Sequence, residues 1–379
     1  MAYFERESKA DRPAREQREG VSGNTEEMTL QPTSFPDLNV TLLYEELNHT
    51  NESHCPHSEA WEWLTTGQPV YIMLIAVLGI VLNTFVLTVF FLQKKSCTVA
   101  EIYLGNLAAA DLVLVSCLPF WAINIANDYN WPFGQFMCKA VNVGIKINVY
   151  SSIYFLVLVS IDRYIALVHP MSHGRMRRPK YAWLGCLLMW GFGLNMSIPT
   201  FVFREVKYFP DYNVTACFLN YPSEHLAVVF EAMLTVLSFI IPISIISFCT
   251  IKIIRALRTK TMSRFNADKT EHKATTLILV VLLAFLICWI PFHLVTLMDW
   301  LLRAEVLGGC YITNVVDICN QVFSYLAFFN SVLNPILYVI VGKNFRKKVS
   351  DLFKQWGVTK TPLSERGHSN LSSTQKTCV

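Results

Sequence analysis

Charged side chains are scarce in this chain. Asp, Glu, Lys and Arg together form 16% of its 379 residues, whereas 53% are hydrophobic. A composition this apolar is unusual in a soluble globular domain and ordinary in a helix bundle in lipid. Residues 1–21 lack an apolar segment, which argues against a cleavable signal peptide. The first apolar segment further along is then the expected signal for membrane insertion.

What the chain does contain is seven apolar segments. A hydrocarbon core about 30 Å thick requires roughly 20 apolar residues in a helix. Barrel strands would instead alternate in polarity over about ten residues. We therefore predict an all-α membrane protein, a seven-transmembrane-helix bundle over residues 69–341. Spans one to seven are expected at about 69–93, 100–127, 134–168, 180–203, 225–258, 269–302 and 312–341.

Lysine and arginine are concentrated in alternate loops. They lie between spans one and two, three and four, and five and six, and again after span seven. The alternative is a nucleic-acid-binding patch, but strict alternation favours membrane topology, so we expect no nucleic-acid partner. By the positive-inside rule the basic loops and the C-terminus are cytoplasmic and the N-terminus is extracellular. The expected location is the plasma membrane, as a multi-pass protein.

Features typical of other membrane proteins are missing. We find no inverted repeat and no broken helix of the kind that transporters usually have. Span seven contains no Lys for a retinal Schiff base, and no nucleophile–base pair is evident. A transporter or channel stays a remote alternative, and we do not expect an enzyme.

Three segments flank the bundle: an N-terminal tail at 1–68, an amphipathic helix at 342–357 and a Ser/Thr-containing tail at 358–379. Apolar residues at helical spacing beside basic ones predict that the amphipathic helix lies on the membrane, so lipids are expected partners. Glycosylation sequons begin at four positions that the charge pattern places outside the cell: Asn39, Asn48, Asn51 and Asn213.

The cysteines are divided by the same topology. Four have extracellular positions, where oxidation is permitted: Cys55, Cys138, Cys217 and Cys310. Four cysteines allow three sets of pairings, and the spacing alone leaves these open. Cys97 and Cys378 have cytoplasmic positions, where we expect reduced thiols.

A carboxylate, Asp111, lies within span two. At that depth it is costly and normally faces the bundle interior. Polar residues at similar depth on other spans are Asn83, Asn148, Ser152, Asn330, Ser331 and Asn334. Hard oxygen ligands suit a small cation, so we expect an allosteric sodium pocket and no other metal or cofactor. The alternative is a protonated Asp111 in a structural hydrogen-bond network.

Several motifs fall at fixed places in the spans. They are NLAAAD at 106–111, DRY at 162–164, CWIP at 288–291 and NPILY at 334–338, together with Asn83, Trp190 and Pro242. Over about residues 69–356 the set resembles the rhodopsin-like G-protein-coupled receptors. Narrower stretches, such as SCTVAEIYLGNLAAAD at 96–111 and YVIVGKNFRKK at 338–348, are similar to the bradykinin (kinin) receptors.

The resemblance implies an activation switch. Asp162 would hold Arg163 at rest and release it to a heterotrimeric G protein, expected to be of the Gq class with phospholipase C and calcium release. Tyr338 would swing inward, and a packed connector around Trp289 would lie below the ligand. The full set is Asp162, Arg163, Tyr164, Trp289, Phe285, Ile153, Pro242 and Tyr338. The resemblance also favours the disulfides Cys138–Cys217 and Cys55–Cys310.

The resemblance further implies a kinin ligand, a short peptide with Arg at its N-terminus and, when intact, at its C-terminus. Asp299 and Asp317 would bind its cationic end through charge-assisted hydrogen bonds, the alternative being solvated charges at the rim. Candidates for lining the deeper pocket, with plain core packing as the alternative, are Trp121, Phe120, Phe292, Gln321 and Tyr325. Another small peptide, angiotensin-like or chemokine-like, is the alternative ligand.

Lys146 in span three bears on the form of the ligand. A Lys there resembles the type-one kinin receptor, which prefers peptides without the C-terminal Arg. The C-terminal tail and the 96–111 stretch look more like type two, which we favour slightly. Lys146 would then be paired, with Glu231 as one candidate partner, or turned away from the ligand.

The C-terminal tail suggests regulatory partners. Its hydroxyl residues are expected to be phosphorylated by receptor kinases and to recruit arrestin: Ser364, Ser369, Ser372, Ser373 and Thr374. The last four residues, KTCV, fit a loose pattern for capture by a PDZ-type domain, which adds a peptide as an edge strand.

Overall fold

The fold follows from the seven apolar segments. The computed structural model describes residues 59–92, 97–169, 178–210, 213–261, 269–303, 306–340 and 342–358. Within these ranges, seven helices are long and apolar enough to cross a membrane, which confirms the predicted fold class. The helices run Glu59–Phe91, Val99–Ala126, Gly134–Val168, Pro179–Met196, Ile198–Phe203, Glu224–Thr235, Ile241–Thr261, Lys269–Arg303, Cys310–Ile340 and Lys343–Val358.

Some predictions fall outside the described residues. They concern the sequons at Asn39, Asn48 and Asn51, the cysteine at 55 and the five hydroxyl residues of the C-terminal tail.

Two predictions about cysteines differ in outcome. Cys138 and Cys217 form the expected disulfide, whereas Cys97, expected to be reduced, is also disulfide-bonded in the structure.

Span one starts before its predicted boundary. The helix begins at Glu59 rather than near residue 69, and Pro69 lies inside it. Hydropathy reports only the part of a helix that suits lipid, whereas a helix can continue into water on its own backbone hydrogen bonds. The predicted start therefore marks the apolar part of the helix and not its end.

Spans four and five are interrupted helices. Span four divides at Ser197, and Pro199 lies in the first turn of the short second helix. In span five a π-helical turn, Val236–Ile240, precedes Pro242. The Ile241 N–H donates to the Val236 carbonyl, so the next carbonyl, that of Leu237, would need an N–H from Pro242, which proline lacks.

A side chain from span three satisfies that carbonyl. The Tyr154 hydroxyl donates to the Leu237 carbonyl at 2.9 Å. A buried backbone acceptor without a partner is costly, so this bond stabilises the turn and links span five to span three.

A β-hairpin between spans four and five covers one end of the bundle. Strands β1 (Arg204–Phe209) and β2 (Val214–Leu219) pair antiparallel, in register from Arg204 opposite Leu219 to Phe209 opposite Val214. Gln135 of span three fastens β1, since its amide donates to the Arg204 carbonyl at 3.0 Å and accepts from the Val206 N–H at 2.7 Å. The hairpin was not predicted from the sequence.

The two ends of the bundle can be named from their residues. The disulfide end carries the hairpin and the Cys138–Cys217 bond, and the Arg163 end carries the DRY motif. Between them, span four turns large apolar side chains outward, with Leu187 69% exposed. Such exposure suits a surface that contacts lipid.

The helix Lys343–Val358 packs on the Arg163 end. Its Phe345 is 6% exposed and meets the rings of Phe85 and Phe90 edge-on, at centroid distances of 6.2 and 5.8 Å. Phe353 on the same helix is 61% exposed. One face of the helix is thus fixed to span one, and another faces away from the bundle.

Candidate functional site

The disulfide end is organised around Cys138 in the second turn of span three. Its bond to Cys217 has a Cα–Cα distance of 5.7 Å and joins β2 to the helix. Asn142, one turn further along, donates to the Cys138 carbonyl at 2.7 Å and approaches the Cys217 sulfur at 3.5 Å. The bond confirms one predicted pair. The pairing of Cys310 stays a prediction, because residue 55 is outside the described residues.

The two acids proposed for ligand binding both lie at the disulfide end. Asp299 in span six is only 3% exposed, so it is not a solvated rim charge. Asp317 in span seven is half-buried. Beside Asp299, the Trp300 indole donates to the Glu231 carboxylate at 3.0 Å and joins span six to span five. A carboxylate removed from water interacts strongly with any cation that reaches it.

The five pocket candidates fall into three groups. Phe120 and Trp121 pack with the aromatic cluster around the disulfide; Phe120 lies edge-on to Phe133 at 5.1 Å and Trp121 lies 6.0 Å from Trp131. The Tyr325 hydroxyl donates to Gln321 at 3.1 Å. Phe292 is half-buried and edge-on to Trp289. All five lie in the disulfide half of the bundle, and their contact with a ligand stays a prediction.

Lys146 is half-buried in span three. It lies two turns past Cys138 and less than two turns before Ile153, between the disulfide and the packed connector. A half-buried ammonium in this region can attract an anionic group.

Asp111 lies at the centre of a polar network. It is fully buried and accepts hydrogen bonds from Asn148 at 3.1 Å, Ser331 at 2.8 Å and Asn334 at 2.9 Å. Asn83 joins the network by donating to the Ser331 carbonyl at 3.0 Å. The predicted residues therefore converge from spans one, two, three and seven, and Ser152 and Asn330, each 2% exposed, are buried as well.

This network contains acceptor atoms with no donor. Among the described residues, the amide oxygens of Asn83, Asn330 and Asn334 are buried without a hydrogen-bond partner. Asn334 already uses its nitrogen on Asp111, so its free oxygen lies beside the carboxylate. Buried oxygens left over around a carboxylate are the donor set that a small hard cation requires.

The packed connector lies in the middle of span six. Trp289 stacks on Phe285 at 5.6 Å with an interplanar angle of 23°, and both belong to the main core together with Ile153. Pro242 is buried on span five, just after the π-helical turn. Within the described part of the chain the Trp289 indole N–H has no hydrogen-bond partner.

At the other end, Arg163 pairs with its neighbour Asp162. The two side chains approach to 2.8 Å and are 15% and 3% exposed. Tyr164 turns away from them, with its hydroxyl 3.0 Å from the His169 ring nitrogen. Tyr338 is 1% exposed and packs on Phe345, and its hydroxyl has no partner among the residues described. The Asp162–Arg163 pair is the contact that the resemblance implies at rest, and the role of these residues as a switch stays a prediction.

The sequence analysis missed several residues that make contacts between the helices. Tyr154 caps the π-helical turn, and His293 stacks beside Trp289. Glu101 pairs with Lys348 at 2.7 Å. Only Glu101 has a local signal, since Thr98 and Glu101 form the spacing of a capping box.

Fold and site together define a class of protein. Seven membrane-length helices carry acidic and aromatic side chains at one end, a buried carboxylate network at mid-depth and a closed Asp–Arg pair at the other end. These are the parts of a seven-helix membrane receptor.

Comparison with known proteins gives the family. The chain belongs to the 7 transmembrane receptor (rhodopsin family), which matches residues 82–338. It is 50% identical to the B2 bradykinin receptor of Homo sapiens over 320 residues, 84% of this chain and 82% of that receptor. The B2 bradykinin receptor of Mus musculus is 49% identical over 322 residues, with the same coverage of each chain. The B1 bradykinin receptor of Homo sapiens is 43% identical over 329 residues, 85% of this chain and 93% of that receptor.

The comparisons confirm the resemblance, with B2 receptors slightly favoured over B1. The chain is a multi-pass plasma-membrane receptor and not an enzyme.

Proposed function

We propose that this chain is a receptor for kinin peptides that activates heterotrimeric G proteins. The observation that carries the proposal is the 50% identity to the human B2 bradykinin receptor over 84% of the chain. Identity to the human B1 receptor is lower, at 43%, so we favour the intact peptide as the preferred ligand.

The peptide enters at the disulfide end, which faces the cell exterior, while the Arg163 end and the C-terminus face the cytoplasm. The distribution of Lys and Arg supports this orientation. Asp299 and Asp317 bind the cationic end of the peptide, and the burial of Asp299 favours a desolvated contact. The aromatic side chains of spans two, six and seven line the deeper part of the site.

Ligand binding is transmitted through Trp289 to the Arg163 end. There the Asp162–Arg163 pair opens, and Arg163 contacts a G protein of the Gq class, with calcium release as the cellular result. The Tyr338 hydroxyl has no partner in the described part of the chain, which favours movement of this side chain, since a new partner would remove the cost of burying it.

A sodium ion at Asp111 stabilises the resting state. Asp111, Asn148, Ser152, Asn330 and Asn334 would hold the ion, through the carboxylate and through amide oxygens that have no donor among the described residues. The ion would supply a positive charge that keeps the buried carboxylate ionised.

The termini regulate the receptor. Glycans occupy Asn39, Asn48 and Asn51 of the N-terminal tail, and a further glycan occupies the exposed Asn213 in the hairpin between spans four and five. Receptor kinases and arrestin act on the C-terminal tail, and its last residues bind a PDZ-type domain.

A peptide panel in transfected cells tests the function. We expect calcium release with intact kinin at concentrations where des-Arg kinin, angiotensin-like and chemokine-like peptides are weaker. A chain that reaches the cell surface and responds only to one of the other peptides would refute the kinin proposal. An Arg163→Ala variant is the matched control, which should bind peptide without releasing calcium.

A further inference from the structure

The inner face of span one ends in a glutamine. Buried side chains recur at helical spacing along this span, and they include Gln68, Ile72, Ile75, Ala76, Asn83, Val86, Val89 and Phe90. The two polar members of this set are Gln68 and Asn83. Gln68 is 3% exposed and lies nearest the disulfide end, whereas Asn83 belongs to the Asp111 network at mid-depth.

The Gln68 amide has unmet hydrogen-bonding capacity. Its nitrogen and its oxygen are both buried, and neither has a hydrogen-bond partner in the part of the chain that the structure describes. The Asn83 nitrogen, by contrast, donates to the carbonyls of Gly79 and Ser331 at 2.9 and 3.0 Å. A primary amide can donate two hydrogen bonds and accept two, and burying it with none is unfavourable. A methionine would fill similar space without that cost, so packing does not explain the glutamine.

The crevice around Gln68 is formed by spans one, two and seven. Ile72, one turn from Gln68 on the same face, packs in one buried cluster with Ile125 of span two and Tyr325 of span seven. Tyr71 also meets the Tyr325 ring edge-on, at 6.1 Å. Gln68 lies one turn closer to the disulfide end than this cluster. Its buried amide therefore lies where the three spans meet, and not on the face toward lipid.

The side of span seven that faces this crevice becomes polar toward the disulfide end. Asp317, Gln321 and Tyr325 follow one another at four-residue spacing, so they share one face of the helix. The Tyr325 hydroxyl donates to the Gln321 amide oxygen at 3.1 Å, and Asp317 and Gln321 are half-buried. Tyr325 is about 12 Å from Asp317 along the helix axis, the length of three or four extended residues. A peptide whose cationic end is bound by Asp317 is thus long enough to reach Gln68.

We propose that Gln68 binds the main chain of the kinin ligand in this crevice. The Gln68 nitrogen donates to a backbone carbonyl of the peptide, and the Gln68 oxygen accepts from the backbone N–H of the same residue. The N–H and carbonyl of one residue point to the same side of an extended chain, so one primary amide can bind both. This inference rests on the proposed peptide-receptor function and adds to it the peptide main chain as a group that the receptor recognises.

The test uses Gln68→Met in purified receptor, with Val70→Met as the matched control on the same span. Methionine is about as long as glutamine and removes both polar atoms, and Val70 is 73% exposed. We expect Gln68→Met to bind intact kinin about tenfold more weakly than wild type, the size of two neutral hydrogen bonds. Val70→Met should bind kinin with wild-type affinity.

A series of kinin analogues identifies the contacted residue. In each analogue one backbone N–H is replaced by an ester oxygen, which removes a single donor. For the analogue altered at the contacted residue, the difference in affinity between wild type and Gln68→Met should fall to about threefold or less. The full difference should persist for analogues altered more than one residue away. Ligand-free Gln68→Met should melt at or above the wild-type temperature, because a buried polar amide has been replaced by an apolar side chain.

Four results would each overturn the inference while the proposed function stands. They are wild-type kinin affinity in Gln68→Met, an equal loss of affinity in Val70→Met, a loss in Gln68→Met that stays the same for every ester analogue, and a lower melting temperature of ligand-free Gln68→Met. The last result would show that the amide already has a partner within the chain. Failure of wild type to bind kinin would overturn both the inference and the proposed function.

Discussion

Buried carboxylates carry much of the functional argument at the scale of single residues. Asp111, Asp162 and Asp299 are each 4% exposed or less, and burial of a carboxylate is tolerated only with hydrogen-bonding or ionic partners. Asp111 has three side-chain donors and Asp162 has Arg163, so both are stabilised inside the bundle. Asp299 lies at the disulfide end, where a ligand would enter, whereas Asp111 lies at mid-depth and Asp162 at the Arg163 end.

Neutralising the acids at the disulfide end should weaken kinin binding. An exposed ion pair contributes about 1 kcal/mol or less, so a loss well above tenfold in Asp299→Asn/Asp317→Asn indicates desolvated contacts. Binding is measured with surface expression held constant, and the single variants show how the loss is divided. Unchanged affinity in the double variant would contradict the assignment.

Lys146 should distinguish the two forms of the peptide if it faces the ligand. Two unit charges about 6 Å apart at an effective dielectric near 20 interact by roughly 3 kcal/mol, or about a hundredfold in affinity. Lys146→Ser should then raise the affinity for intact kinin relative to des-Arg kinin. Dose–response curves for both peptides on both receptors measure the ratio. If the potency ratio of intact to des-Arg kinin is the same in wild type and Lys146→Ser, Lys146 does not contact the C-terminus of the peptide.

Sodium should lower agonist affinity through Asp111. The ion favours the resting state, so it must shift the population away from the state that binds agonist. Kinin binding is compared in sodium and in potassium at equal ionic strength, for wild type and for Asp111→Asn. We expect kinin affinity to be lower in sodium than in potassium for wild type, and to be the same in both salts for Asp111→Asn. Wild-type affinity that is the same in both salts would leave the network with a structural role only.

Contacts between elements explain how the ends of the bundle are held. Glu101 has two roles at the start of span two. One carboxylate oxygen accepts from the Thr98 N–H at 2.9 Å in a capping box, and the other lies 2.7 Å from the Lys348 ammonium on the last helix. At this distance the contact is an ion pair with the length of a charge-assisted hydrogen bond. Lys348 also lies over the Phe90 ring at 5.6 Å.

Breaking the Glu101–Lys348 ion pair should weaken the attachment of the last helix to the bundle and leave the N-terminal capping box of span two intact. Glu101→Gln keeps the capping box, because Gln serves there as well as Glu, and removes the charge. We expect Glu101→Gln and Lys348→Gln each to cost about 1 kcal/mol of stability, and the double variant to cost no more than either. Thermal unfolding of purified receptor measures the cycle.

Thr98→Ala is the matched control, which removes the cap and should add to either charge variant. Additive losses for Glu101→Gln and Lys348→Gln would show that the two residues act separately.

For the whole molecule, the sequence predicted the features that the membrane imposes. Seven spans follow from apolar length, and the Asp111 network follows from polar residues at one depth, because lipid tolerates such groups only in the interior. The Cys138–Cys217 bond came from resemblance. The hairpin had a readable signal in the β-branched and aromatic residues on either side of its turn, but it was missed.

Other features depend on tertiary contacts that no local pattern contains. The π-helical turn needs Tyr154, which is remote in sequence, to satisfy the Leu237 carbonyl. That the His293 nitrogens lack partners among the described residues becomes evident only once span five is packed against span six. The burial of Asp299 likewise reflects the assembled end of the bundle rather than its position near a helix end.

The most direct test of the central claim is nucleotide exchange on purified Gq by the purified receptor in lipid nanodiscs. We expect intact kinin to accelerate GTP binding, with des-Arg kinin less potent, and Arg163→Ala to abolish the acceleration while peptide binding persists. Acceleration by another peptide and not by kinin, or kinin binding that never accelerates exchange in the wild-type receptor, would contradict the account.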